Sequence, residues 1–133
     1  LDEMLASAEL TEGHRFSVLY FHRPILSRSR HGGDLARLDR FEQLIAGHNV
    51  PLVLVGHAHC YERFAANNIT YIVTGGGGAA PYSCDNENEE VAHLQEKAIT
   101  TYHWLQIEQG LDTYTVRAID DTGTTLDTWE LNR

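Results

Sequence analysis

Basic residues are scarce in this chain of 133: ten Lys and Arg stand against 19 Asp and Glu, for a formal charge of -9 at pH 7. Nucleic acids and anionic membranes need clustered cations to neutralise phosphates, so this balance argues against both as partners. Cysteine is limited to Cys60 and Cys84, too few for a disulfide scaffold. These two either form one bridge, which would suit an exported protein, extracellular or periplasmic, or remain free thiols. No apolar run approaches the roughly 20 residues of a membrane span, and no signal peptide opens the chain.

What is present suffices for one domain with a real core, since length and composition are those of a globular chain. Leu1, Met4, Leu5 and Ala8 share a helical face that starts at the first residue, with no initiator Met and no cap before it. A helix this short is marginal alone, so the chain reads as cut from a longer protein. No internal repeat and no linker divides it, and residues 1–133 are taken as one unit.

Phe16 to Phe21 is short and almost wholly apolar, which predicts a strand covered on both faces. Gly32-Gly33-Asp34 opens a helix: Asp34 is a good N-cap, Leu38, Phe41, Leu44 and Ile45 form its apolar stripe, and Gly47 stops it. Pro51 starts a second buried strand, Leu52 to Val55. Strand, helix, strand over this length is a βαβ unit with parallel strands. Ligand sites in such sheets lie beyond the carboxyl ends of the strands. His22 follows the first strand, and His57 and His59 follow the second, so three imidazoles converge on one sheet edge. Neutral imidazole is the commonest metal ligand.

Beyond the histidines, Tyr61 to Phe64 and Ile69 to Thr74 read as strands joined at Asn67-Asn68, followed by the glycine run Gly75 to Gly78. Residues Ala79 to Thr100 carry an acidic cluster and no clear period, which predicts a solvated loop or lid. Tyr102 to Glu108, Thr113 to Ile119 and Thr125 to Leu131 then form an antiparallel meander, turning at Gln109-Gly110 and Asp121-Thr122-Gly123. The fold class is therefore α/β, mixed with an antiparallel portion.

Phe21-His22-Arg23-Pro24, Gly56-His57-Ala58-His59-Cys60-Tyr61-Glu62-Arg63 and Tyr71-Ile72-Val73-Thr74-Gly75-Gly76-Gly77-Gly78 together resemble the C-terminal half of a calcineurin-like metallophosphoesterase. The His-Arg-Pro triplet and the form His-x-His-x-Tyr-Glu-Arg most resemble the purple acid phosphatase branch. The resemblance implies a partial metallophosphoesterase fold: a βαβ unit followed by mixed and antiparallel strands of a two-sheet sandwich, with flanking helices. It also implies a dinuclear centre that hydrolyses phosphate esters using two divalent or trivalent ions, Fe, Zn or Mn. By position, His22 and His57 would bind one metal and His59 the other, while His31 would protonate or hydrogen-bond the leaving group. A small phosphorylated substrate remains compatible with the acidic chain, because bound metals reverse the local field.

The departures from the family pattern are as informative. The Asp-x-His, Gly-Asp and Asn-His motifs that supply the remaining ligands do not precede His22, so the N-terminal half of the domain is an expected partner. The implied split is an active parent phosphoesterase and an inactive segment. Ile25-Leu26 also stand where the acid-phosphatase branch has Met-Tyr. A metal-free interaction scaffold and a mononuclear zinc hydrolase built on His22, His57 and His59 are the alternatives.

Glu62 and Arg63 read as an ion pair steadying the loop. His14, His48 and His93 read as solvent-exposed. His103 alternates with Leu105 and Ile107 on one strand face and reads as a packed core histidine. Tyr82 either lines the phosphate pocket or anchors a loop.

Overall fold

Asp34 takes an extended backbone, φ -143°, and its side chain accepts a hydrogen bond from the Arg37 amide at 2.6 Å, capping a helix that runs to Leu44. In the computed structural model, which describes residues 1–85, 87–110 and 113–132, that helix is the crossover of the expected βαβ unit. The order is α1 (Asp2–Glu9), β1 (Val18–Phe21), α2 (Leu35–Leu44), β2 (Leu52–Val55), β3 (Tyr61–Ala66) and β4 (Ile69–Thr74). A 3-10 turn over Glu89–Leu94 then leads into β5 (Gln95–Ile99), β6 (His103–Gln109), β7 (Thr113–Asp120) and β8 (Thr125–Asn132).

Five strands form a mixed sheet in the order β1-β2-β4-β3-β5, and β6-β7-β8 form a separate antiparallel meander. Strands β1, β2 and β4 run parallel, while β3 is antiparallel to both β4 and β5. The side-chain period of two sorts β2 between two cores. Val53 and Val55 face the cluster that includes Leu5 of α1 and Leu38 of α2, while Leu52 packs with Val116, Ala118 and Leu131 of the second sheet. The mixed sheet is thus covered by helices on one face and by the meander on the other. Register pairs Phe21 with Val55, so β1 and β2 end side by side and release His22 and Gly56 at the same level.

Two expectations need correction. β1 is an edge strand, not one covered on both faces: it pairs only with β2 among the described residues, and Tyr20 is 83% exposed. The segment after the glycines is not a plain solvated loop, because Gln95–Ile99 adds to the sheet against β3. Its sequence lacks alternation, and the partner strand decides its state. The turn expected at Gln109-Gly110 adjoins residues 111 and 112, which lie outside the described residues.

Candidate metal centre

Adjacent parallel strand ends place the first two histidines. Gly56 N donates to the His22 carbonyl at 3.1 Å, which locks the two loops together just beyond the sheet. His57 takes a left-handed backbone, φ 67°, a conformation sparsely populated by non-glycine residues and concentrated at functional sites. The consequence is a hydrogen bond between the two rings: His22 Nε2 lies 2.9 Å from His57 Nδ1. Two ligand atoms held about 2.0–2.1 Å from one ion stand roughly 2.9–3.4 Å apart, so this pair has the spacing of two ligands on one metal.

The other two histidines of the expected site flank that pair. His31 packs edge-on to His57 with ring centroids 4.5 Å apart, and Arg30 Nε donates to His31 Nε2 at 3.3 Å. His59 sits apart from the His22–His57 contact: its ring is 5.2 Å from Tyr82, and its Nδ1 lies 3.3 Å from the Ala80 carbonyl. That carbonyl can accept only from a protonated Nδ1, which leaves the lone pair on Nε2. Among the described residues, His22, His57 and His59 do not bring one ligand atom each within 4.8 Å of one another. A single three-imidazole zinc site does not form in this geometry, whereas His59 serving a second ion is compatible with it.

Electrostatics support ligation at the first pair. Burial, followed by the neighbouring His31, His22, Arg23 and His59, holds the His57 imidazole below its usual range. That favours the neutral ring, the form that binds metals. The ring of Tyr82 also lies 6.1 Å from that of His31 and carries the Arg30 guanidinium 4.7 Å from its centroid. Its hydroxyl is buried and has no hydrogen-bond partner among the described residues.

Two further constraints hold the histidine loop. Cys60 and Cys84 form a disulfide, so the bridge reading of the two cysteines holds, and Tyr82 N donates to the His59 carbonyl at 3.1 Å. Cys60, Glu62 and Cys84 are the closest trio of ligand-type residues among those described, but sulfurs joined to each other are not available as thiolates.

The expected Glu62–Arg63 ion pair is absent. Successive strand residues point to opposite faces, so the two side chains diverge. Arg63 Nε binds Asp127 at 2.8 Å and its Nη1 pairs with Glu96, while fully buried Glu62 faces the loop before α2. His48 also departs from expectation: its side chain is only 9% exposed and bridges Glu9 and Asp2 at 3.1 and 3.0 Å. His103 is the packed histidine its strand position implied, bonded to Thr74 Oγ1 and the Thr101 carbonyl.

Searches by sequence return no matching family model and no matching curated protein. Comparison of folds does return matches. The chain is similar to the protein described as GAP50, the anchor in the inner membrane complex of Plasmodium, with TM-score 0.73 and 18% identity over 88% of this chain and 36% of that one. It is also similar to purple acid phosphatase PPD1 from yellow lupin (Lupinus luteus) seeds, with TM-score 0.75 and 16% identity over 99% of this chain and 27% of that one. The chain therefore has a metallophosphoesterase-like fold and spans well under half the length of either neighbour.

Proposed function

We propose that this chain is the C-terminal part of a phosphoesterase domain and contributes His22, His57 and His59 to a two-metal centre. The observation that carries the reading is the 2.9 Å approach of His22 Nε2 to His57 Nδ1 at the ends of two parallel strands, in a fold shared with a purple acid phosphatase. The ions are Fe, Zn or Mn, since imidazole suits all three. The Cys60–Cys84 bridge favours an exported parent protein.

When bound, the metals would supply Lewis-acid activation of a phosphate ester and of the attacking water. The residues of this chain divide the remaining work. His22 and His57 offer one ion two nitrogens already at ligand spacing, and His59 offers Nε2 to the other. His31 stands against His57 with its ring exposed, placed to give a proton to the oxygen that leaves the phosphorus. Arg30, over Tyr82 and bonded to His31, puts a fixed positive charge beside the incoming phosphate. The substrate is a small phosphorylated molecule, and the partner is the N-terminal half of the same domain, which supplies the carboxylate and other ligands absent here.

The test compares this chain with a longer form of the protein. A generic aryl phosphate and added divalent metal should give turnover in the longer form, with two metal equivalents bound, and none in the 133-residue chain. Robust turnover by the short chain would overturn the split. A second reading, a non-catalytic scaffold, is favoured by one finding: a neighbour of the same fold is described as an anchor. A longer form that binds no metal would support the scaffold.

A further inference from the structure

Glu62 is 0% exposed, the only acidic side chain buried to that degree among the described residues. An ionised carboxylate in such a place must be satisfied by donors, and here three converge on it. Ser27 Oγ donates to Oε2 at 2.5 Å, while the Arg28 amide and Gln95 Nε2 donate to Oε1 at 2.7 and 2.9 Å. None of the three comes from β3, on which Glu62 sits: two belong to the loop before α2 and one to β5.

Two of these bonds, from Ser27 and from Gln95, continue toward the histidine centre. Ser27 Oγ is 2.9 Å from Ser29 Oγ, and Ser29 Oγ accepts the His31 amide at 3.2 Å. Gln95 Nε2 also donates to the Cys84 carbonyl at 3.1 Å, which anchors the segment two residues beyond Tyr82. His31 and Tyr82 are the two rings that flank the His57 and His59 imidazoles. One buried carboxyl therefore fixes the backbone behind both.

We propose that Glu62 is the positioning residue of the histidine centre, holding the His31 loop through Ser27 and Ser29 and the Tyr82 segment through Gln95. The inference takes its functional meaning from the role of His31 proposed above, but the hydrogen-bond hub does not depend on bound metal.

The serine hydroxyls give the hub two states. With Glu62 ionised, the Ser29 hydroxyl donates to Ser27 and the Ser27 hydroxyl donates to the carboxylate. With Glu62 protonated, its O–H donates to Ser27 and the Ser27 hydroxyl turns toward Ser29. Burial pushes the carboxyl up to about 7, against the opposing pull of the Ser27, Arg28 and Gln95 bonds. The charged group that faces it is Arg28, whose guanidinium is engaged by Glu89, by Gln95 Oε1 and by the Glu87 carbonyl. The Cys60 sulfur, 3.7 Å away, is in the disulfide and does not titrate.

The test is amide NMR and hydrogen exchange on the 133-residue chain without metal, comparing Glu62→Gln, Glu62→Ala and Ser27→Ala. The Arg28 amide shift should titrate with a midpoint near 7 in the wild type. In Glu62→Gln it should stay flat at the low-pH value, because the amide reproduces the protonated hub. Glu62→Ala should speed exchange at Arg28, His31 and Tyr82, whose amide donates to the His59 carbonyl, at least tenfold relative to amides of β2, with Glu62→Gln restoring most of the protection. Ser27→Ala removes one arm only, so it should release His31 and leave Tyr82 protected, and it decides the matter if Glu62→Ala does not fold. The proposal is overturned if the Arg28 shift does not titrate in the wild type, if Glu62→Gln titrates alike, or if Ser27→Ala leaves His31 exchange within twofold of wild type. Failure of metal binding at the histidines would leave these results untouched, so the two proposals fail separately.

Discussion

Gly75 lies so close to Ala58 that a Cβ built on it would stand 1.9 Å from the Ala58 carbonyl oxygen. Ala58 is the residue between His57 and His59, so the glycine run acts as a floor under the histidine loop. Gly75→Ala must push that loop outward, and it is expected to cost roughly 2–4 kcal/mol and to separate His57 from His22. Gly77→Ala is the control: its Cβ would meet nothing within 4 Å, and a change within about 0.5 kcal/mol is expected. Urea unfolding of the two variants measures the contrast.

His48 binds carboxylates with both ring nitrogens, Glu9 through Nδ1 and Asp2 through Nε2. A neutral imidazole has one N–H, so the observed contacts need the imidazolium. The hydrogen bond to Asp2, followed by that to Glu9, raises its pKa above the ordinary histidine value. A raised folded pKa gives stability that is complete below the unfolded value of about 6.5 and is lost as pH rises through the folded one. Because both carboxylates belong to α1, the protection of α1 amides such as Leu5, corrected for intrinsic base-catalysed exchange, should fall from pH 6 to 9 in the wild type. In His48→Gln that dependence should vanish.

The disulfide closes 24 residues between the histidine loop and the Tyr82 segment. The chain-entropy argument gives about 3 kcal/mol for a loop of this length, so Cys60→Ala/Cys84→Ala should be less stable by roughly that amount. Because the bridge acts on the unfolded chain, the loss should appear at amides that exchange by global unfolding, such as those of β2, and the Tyr82 amide, which donates to the His59 carbonyl, should lose at least as much protection. Loss confined to Tyr82, with β2 unchanged, would show instead that the bridge holds only the histidine loop.

The βαβ unit is legible in the sequence because Leu52–Val55 is apolar throughout, Asp34 caps α2 and Gly47, φ 88°, follows its end. The convergence of His22 with His57 follows from that unit alone, since parallel strands end at one edge. What is hidden depends on partners distant in the chain. Gln95–Ile99 becomes a strand only because β3 offers it an edge, and the exposure of Tyr20 reflects what pairs with β1 rather than its own composition. The motif Tyr61-Glu62-Arg63 suggests an ion pair between neighbours, but strand alternation sends the two side chains apart, to Ser27 and to Asp127. Ser27-Arg28-Ser29 is the one local sign of the hub, and a Ser-x-Ser pair in a loop is too common to read alone.

A two-metal centre in this fold requires that His22 and His57 share an ion. Isothermal titration of Zn2+ into the 133-residue chain, repeated with His22→Ala and His57→Ala, tests this most directly. One equivalent of Zn2+ bound by the wild type and weakened at least tenfold by either substitution is the predicted result. Zn2+ binding that survives both substitutions unchanged, or is absent from the wild type, would contradict it.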